Sequence, residues 1–337
     1  MGIHTSGASR GGAWYIVAIF MVLLALSFLD RFVVALLVTP ISAELQLSDR
    51  QMGLLMGFGF ALLYSIAGVP IAHYLDRGNR VRGVAAGVLV WSLSTVACGF
   101  AQSFGQLLLL RAGVAIGEAV LTPAMLSLIA DLFDERERGR PTTLFLSIGA
   151  IMAGGALIVG GFAVQLAEII HVSFPQWAVW RLTGILVGTP GILLAVLLLS
   201  TVSEPTRRHT ARQHAAVPGT DATSVIAHLR RHAGFYVPFH LAVGFGISIG
   251  YAAFSWAPTI LVRSYGFTVA QSGYAFGSIA APVAFAAMLF WGWLSGRIGT
   301  ASGPLRTMHF GLAVAATAGL GALLIDTGSA TIVTVAF

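Results

Sequence analysis

The sequence predicts an all-α polytopic membrane protein built as two helical bundles, and three observations carry that prediction. Of its 337 residues, 57% are hydrophobic and only 9% are charged, against roughly 25% charged in soluble domains. The apolar residues fall in long runs, most near the roughly 20 residues that a spanning helix needs. A pattern of residues in the first third recurs 220 positions later, as Gln51, Gly53, Gly57 and Arg77 fall on Gln271, Gly273, Gly277 and Arg297.

Taken in order, the runs place helices near 14–38, 51–72, 83–101, 105–130, 141–167 and 179–201. The first is too long for a signal-peptide core and no small-residue cleavage site follows it, so it is a retained span. A polar stretch follows from Ser203 to His232, and then helices near 236–262, 270–294 and 306–326. A tenth run begins near 328 and the sequence stops inside it, so the expectation is a truncated second bundle. The expected organisation is a six-helix bundle over 1–202, a cytoplasmic linker over 203–235, and a partial second bundle over 236–337. Cys98, the single cysteine, lies in an apolar run and excludes a disulfide framework. Linker histidines 209, 214, 228 and 232 match no zinc spacing, and the linker reads as a basic segment against anionic lipid headgroups.

Charge sets the orientation. Arginines gather in every second loop: Arg77, Arg80 and Arg82, then Arg136, Arg138 and Arg140, then the linker, then Arg297 and Arg306. The intervening loops hold only Arg50, Arg181 and Arg263. This alternation puts the N-terminus in the cytoplasm, and the net charge of +6 spread this way does not indicate nucleic acid. The expected location is a bacterial inner membrane.

Asp30, Arg31, Arg111 and Glu118 lie inside predicted spans. Each costs roughly 2.5–3.5 kcal/mol on insertion scales, so each needs a partner or a watery cavity. At 1.5 Å per residue, Asp30 lies roughly 24 Å from the cytoplasmic side and Arg111 roughly 10 Å from the outer side. In a core of about 30 Å those depths coincide. Glu118 shares a helix face with Arg111 and lies about 10 Å deeper. An Asp30–Arg111 pair or an Arg31–Glu118 pair is therefore within reach. Buried pairs seldom outperform apolar replacements in stability, so four buried charges argue for function.

The loop Asp76-Arg77-Gly78-Asn79-Arg80-Val81-Arg82 resembles the loop signature of major facilitator transporters, with Ala72 and Asn79 in place of glycines. The parallel repeat fits the same superfamily. Asp76, Arg77 and Arg80 are accordingly expected to gate the cytoplasmic side, with Asp76 dominant because Gly296 replaces the acid in the second half.

A finer resemblance rests on an ordered set. It comprises Asp30-Arg31-Phe32, Gly53-Leu-Leu, Phe60 with Tyr64, Trp91-Ser92 with Thr95, Gly99, Arg111, Gly117-Glu118-Ala119 and Pro123-Ala124. Together these resemble the spinster-like branch of the superfamily over helices 1 to 5, and more weakly at Trp256-Ala-Pro258. The resemblance implies alternating access by a proton-coupled secondary transporter, symporter or antiporter. It implies proton coupling at Glu118 and Asp30 and substrate handling by Arg31 and Arg111. Tyr64 and Trp256 are expected to line the cavity. Animal members of that branch move lysophospholipids or sphingosine phosphate, which implies an organic anion or lysolipid-like substrate. The organic anion–cation symporter branch, carrying carboxylates or sugar acids, also has Asp-Arg in helix 1 and an arginine in helix 4.

No nucleophile–base pair or metal cluster has usable spacing, so an enzyme is not expected. No cofactor is expected, and a proton gradient would drive transport. The expected partners are the substrate and membrane lipids, with the protein a monomer. A membrane sensor or scaffold is the rival class, because fold does not fix function. The glycines of helix 5, Gly149, Gly154, Gly155, Gly160 and Gly161, read as close packing.

Overall fold

The structure is a computed structural model that describes residues 10–207 and 222–298. Its helices are α1 (Arg10–Leu36), α2 (Val38–Leu45), α3 (Asp49–Gly53), α4 (Gly59–Arg77), α5 (Arg80–Cys98), α6 (Phe104–Glu118), α7 (Leu121–Leu132), α8 (Gly139–Ser173) and α9 (Val179–Thr201). Three more follow, α10 (Ala222–Arg231), α11 (Ala233–Tyr265) and α12 (Val269–Ile298). Among the described residues, seven spans are long and apolar enough to cross a membrane, from Arg10–Leu36 to Ala233–Tyr265. The expected helices 9 and 10, Arg306, His209 and His214 lie outside the described residues. The polar stretch expected as linker contains α10.

Local chemistry sets the helix ends. Ser48 and Gln51 form a reciprocal capping box, in which the Ser48 backbone N–H donates to Gln51 Oε1 at 2.9 Å and the Ser48 side chain accepts from the Gln51 N–H. Thr268 and Gln271 repeat it, with the Thr268 N–H at 3.0 Å from Gln271 Oε1 and the Gln271 N–H at 3.2 Å from Thr268 Oγ1. The Gln51–Gln271 match in the repeat is thus a conserved way of starting a helix, since each box satisfies two orphan donors. Asn79, which departs from the glycine of the loop signature, caps α5 by accepting from the Arg82 N–H at 2.8 Å.

Two spans are interrupted. Between α3 and α4 the residues Leu54–Phe58 form a π turn, which offsets the faces on either side by about 100°. The expected helix over 105–130 is broken instead at Ala119–Val120, between α6 and α7. Pro123 has no N–H for the Ala119 carbonyl and its ring crowds that carbonyl. The break falls immediately after Glu118.

Two compact units result. Among the described residues, one holds 10–206 with Ser255–Met288, and the other holds 207, 222–254 and 289–298. In the first, the core is two apolar clusters stacked along the helices. One gathers Phe20, Leu23, Val84, Val88, Met125 and Leu128. The other gathers Val33, Val38, Met52, Leu107, Val164 and Trp180. Asp30 and Arg111 fall where one cluster gives way to the other. Large apolar side chains such as Phe58, Val69, Leu109 and Val172 point outward, as a lipid-facing surface requires.

Glycines set the closest crossings. A Cβ on Gly117 would stand 2.5 Å from the Gly87 carbonyl oxygen and 2.7 Å from the Trp91 nitrogen. This crossing of α5 and α6 holds Glu118 in place. Overpacking costs about 1–3 kcal/mol, more than the gain of up to about 1 kcal/mol from replacing helical glycine by alanine. Gly117→Ala is therefore expected to lower the thermal midpoint of the purified full-length protein. Gly105→Ala, whose Cβ would meet nothing within 4 Å, should leave it unchanged or raise it. In α8, Gly154 lies against the backbone of Gly277 and Ala281, and Gly161 against Tyr274, so these two helix-5 glycines do serve close packing. At the end of the unit that carries Asp49, Arg263 pairs with both Asp49 oxygens at 2.9 Å.

Candidate functional site

Asp30 and Arg31 are adjacent on α1, so their side chains leave the helix about 100° apart. That rotation sends them to different partners. Asp30 turns toward α5 and α6, where the Thr95 hydroxyl lies 2.8 Å from Oδ1 and Arg111 Nη1 lies 3.7 Å from Oδ2. Arg31 turns toward Glu118, its Nη2 donating to Oε2 at 2.5 Å. Both pairs that the depth arithmetic allowed are present together, and all four charges join one neutral cluster.

Burial is nearly complete. Glu118 is 1% exposed, Asp30 3% and Arg111 4%. The 3.7 Å Asp30–Arg111 contact is an ion pair, too long for a hydrogen bond. Asp30 Oδ2, Arg111 Nε and Nη2, and Glu118 Oε1 have no hydrogen-bond partner although buried. Such groups cost about 1–3 kcal/mol each when left unmade.

Aromatic rings take up the cationic faces. The Arg31 guanidinium lies 4.9 Å from the Phe60 ring, 5.4 Å from Tyr64 and 5.5 Å from Phe28. Phe60 also faces Arg111 at 5.1 Å, so one ring contacts both guanidiniums. Phe60 and Tyr64, four residues apart on α4, stack at 6.1 Å. Cation–π contacts hold an arginine without consuming its N–H donors. Tyr64 also lines an open groove with Asp76, Ala119 and Pro123. Trp256 packs beside Gly53, where a Cβ would meet its ring at 3.8 Å.

A second charged centre lies near the start of α5. Arg80 is 0% exposed. Its Nη1 donates to Asp131 Oδ2 at 2.5 Å and to Ser127 Oγ at 3.0 Å, its Nε to Glu204 Oε1 at 2.6 Å, and its Nη2 to the Pro205 carbonyl at 3.3 Å. Glu204 also accepts from the Val81 N–H at 2.9 Å. Asp76 and Arg77 are exposed at the end of α4. Of the three expected gating residues, Arg80 is the buried hub, and its bonds join α5, α7 and the segment after α9.

Asp131, Glu204, Thr95 and Phe60 were not among the expected site residues. Asp131 carried a readable signal as a fifth charge ending an apolar run, and Glu204 as an acid beside Pro205 at a helix end. Thr95 and Phe60 stood in the ordered set of the resemblance without a role, and their contacts supply one.

The chain and its fold have counterparts among known proteins. The family model of the Major Facilitator Superfamily matches residues 20–337. An MFS-type efflux pump of Mycolicibacterium smegmatis is 30% identical over 299 residues, covering 88% of this chain and 66% of its own length. Human protein spinster homolog 1 is 32% identical over 269 residues, covering 77% of this chain and 48% of its own. The chain thus spans about half to two thirds of the length of these relatives. A crystal structure of a bacterial homolog of the human lysosomal transporter Spinster, inward-facing and occupied, superposes with a TM-score of 0.74. The two are 30% identical, and the match covers 97% of this chain and 72% of that one.

Proposed function

The chain belongs to the major facilitator superfamily, with spinster-like relatives, and on that footing we propose that it is a proton-coupled secondary transporter. It works by alternating access and carries an organic anion or a lysolipid-like amphiphile. Its place is a bacterial inner membrane with the N-terminus cytoplasmic. Arg31 and Arg111 hold the anionic group of the substrate, and Asp30 and Glu118 carry protons. Asp76, Arg77 and Arg80 gate the cytoplasmic side.

The observation that carries this reading is Arg111. It is 4% exposed, yet two of its nitrogens lack hydrogen bonds and its carboxylate partner stands off at 3.7 Å. A planar fork held by a ring face with free donors suits a carboxylate or phosphate. Thr95 supports the proton-carrying role of Asp30. Its hydroxyl lies 2.8 Å from Asp30 Oδ1 and 3.0 Å from the Trp91 carbonyl. It donates to the ionised carboxylate, or accepts from the protonated one while donating to Trp91, so the contact survives either state.

The test is a thermal-shift screen of lysolipids, carboxylates and sugar acids on the full-length protein. A ligand at 100 times its dissociation constant stabilises by about 2.7 kcal/mol. One anionic class is expected to raise the midpoint, and Arg111→Ala to abolish that shift. A shift retained in Arg111→Ala would remove Arg111 from the site. A sensor would bind its ligand yet show no accumulation in proteoliposomes, which separates that rival from a transporter.

A further inference from the structure

The two ion pairs of the cluster share one side chain. Arg31 lies among the rings of Phe28, Phe60 and Tyr64, and of these three Phe60 is the one that also lies over Arg111. The ring is 5% exposed and stacks on Tyr64. An irregular turn fixes its direction. The Gly59 N–H donates to the Leu54 carbonyl five residues back, closing the π turn directly before Phe60. In an unbroken α-helix that bond would reach back four residues, and Phe60 would stand about 100° away around the axis relative to α3. Gly59 suits this turn, since a Cβ there would stand 2.7 Å from the Leu54 carbonyl oxygen. The π turn thus sets the rotation at which α4 meets the two arginines.

The Asp30–Arg111 pair is held from both sides. The Thr95 hydroxyl lies 2.8 Å from Asp30 Oδ1, the Phe60 ring lies 5.1 Å from the Arg111 guanidinium, and the two charges stand 3.7 Å apart. A closer approach would let Arg111 donate to Asp30 Oδ2, an atom with no hydrogen-bond partner. It would also take up the donors on which the anion reading depends. A ring face attracts a guanidinium through its quadrupole without engaging an N–H, and does so most strongly away from water. Arg111 is buried enough for that attraction to matter, at 4% exposed.

We propose that Phe60 is a positioning residue for both arginines. It holds Arg111 off Asp30 and ties Arg111 to Arg31, so that the two respond to an anionic substrate as one unit. The role rests on the anion-carrying reading above. The two arginines enter it differently, since Arg31 donates to Glu118 Oε2 whereas Arg111 stands beyond hydrogen-bond distance of Asp30. An anion that draws on either guanidinium disturbs the ring that the other also touches. Weakening the ring contact therefore lowers affinity through both arginines.

Fluorination of the Phe60 ring tests this in the full-length protein. One, two or three fluorines draw charge from the ring face in steps while nearly keeping its size, so they weaken cation–π contacts without opening a cavity. The probes are lysophosphatidic acid for phosphates and laurate for carboxylates, with affinities read from thermal shifts. The affinity of whichever probe the wild type binds is expected to fall stepwise, by about tenfold with three fluorines. The midpoint without probe should stay where it is. Phe60→Tyr keeps the ring face and should bind within about threefold of wild type, whereas Phe60→Leu should lose at least as much as the trifluorinated ring. An affinity indifferent to fluorination would overturn the proposal. So would a probe-free midpoint that falls in step with affinity, because that is the mark of packing alone.

A second measurement needs no substrate. In a double-mutant cycle on stability, Arg31→Gln and Arg111→Gln are expected to be non-additive in the wild-type background and closer to additive with Phe60→Leu. Equal non-additivity in the two backgrounds would overturn the tie between the arginines. The expected cycle with neither probe bound by the wild type would support that tie and overturn the anion reading for these two classes.

Discussion

Glu118→Gln is expected to abolish net transport driven by a pH gradient while sparing substrate exchange in proteoliposomes of the full-length protein. Glutamine keeps the shape of the side chain and an oxygen acceptor toward Arg31 Nη2, now 2.5 Å from Oε2. What it removes is the charge and the site for a proton. Glu118 has no exposed side-chain surface, while that of Arg31 is 19% exposed, so within the pair the carboxylate is the fully enclosed member. Coupling between two ligands is worth about 1–3 kcal/mol, or 5–150-fold in affinity. Loss of the proton step should erase a pH dependence of that size in substrate affinity. Exchange, which needs only the loaded protein to alternate, should continue. Proton-driven accumulation retained in Glu118→Gln would sink the assignment of Glu118 and leave Asp30 as the proton carrier.

The largest loss of stability is expected from Arg80→Ala. That change takes the guanidinium away from Asp131, which is 7% exposed, from Glu204 and from the Pro205 carbonyl. Removing one partner of a buried ion pair costs about 3–5 kcal/mol. Total stabilities run at about 5–15 kcal/mol, so the fall in thermal midpoint and yield should be large. Lysine should not restore them, because its single ammonium cannot replace the fork that reaches five acceptor atoms on four residues at once. Joint replacement, Arg80→Met with Asp131→Leu and Glu204→Gln, should recover much of the stability, since no buried charge is then left alone. That triple variant also tests the gate. A stable protein that still transports normally would make the cluster purely architectural, and a stable protein locked in one state would make it a latch.

Much of the candidate site was legible in the sequence because insertion energetics is local. A charge in an apolar run is visible without knowing its neighbours, and a 1.5 Å rise converts position into depth. Those two facts placed Asp30, Arg31, Arg111 and Glu118 within reach of one another. They did not rank Arg80, which sits at a helix start in a loop rich in arginines. Nothing in that loop distinguishes a buried arginine from an exposed one such as Arg77. Burial there depends on Asp131, 51 residues away, and Glu204, 124 residues away. For the same reason the gating role read for Asp76 rested on the pattern alone, and the buried bonds belong to Arg80.

The helix 4 break illustrates the opposite case. Pro123 stood in the sequence, but the apolar run continued past it and read as one span. A proline in a membrane helix is tolerated where neighbours re-satisfy the freed carbonyl. Here the helix breaks at Ala119–Val120 instead. Glu118 therefore ends α6, while the apolar span Phe104–Leu132 continues through the interruption.

By itself the sequence determined the membrane class, the order of helices, the repeat and the depth of each buried charge. All of these follow from composition and rise per residue, which are properties of single segments. Only the tertiary structure decided that both ion pairs form together, that Phe60 touches both guanidiniums, and that Arg80 is buried among acids from distant segments. These depend on helix rotation and separation. The approach of Gly117 to the Gly87 carbonyl and the π turn at Leu54–Phe58 set them, and a one-residue offset turns a side chain by about 100°. Depth is a length along one helix and can be counted, whereas facing is a relation between helices and has to be seen.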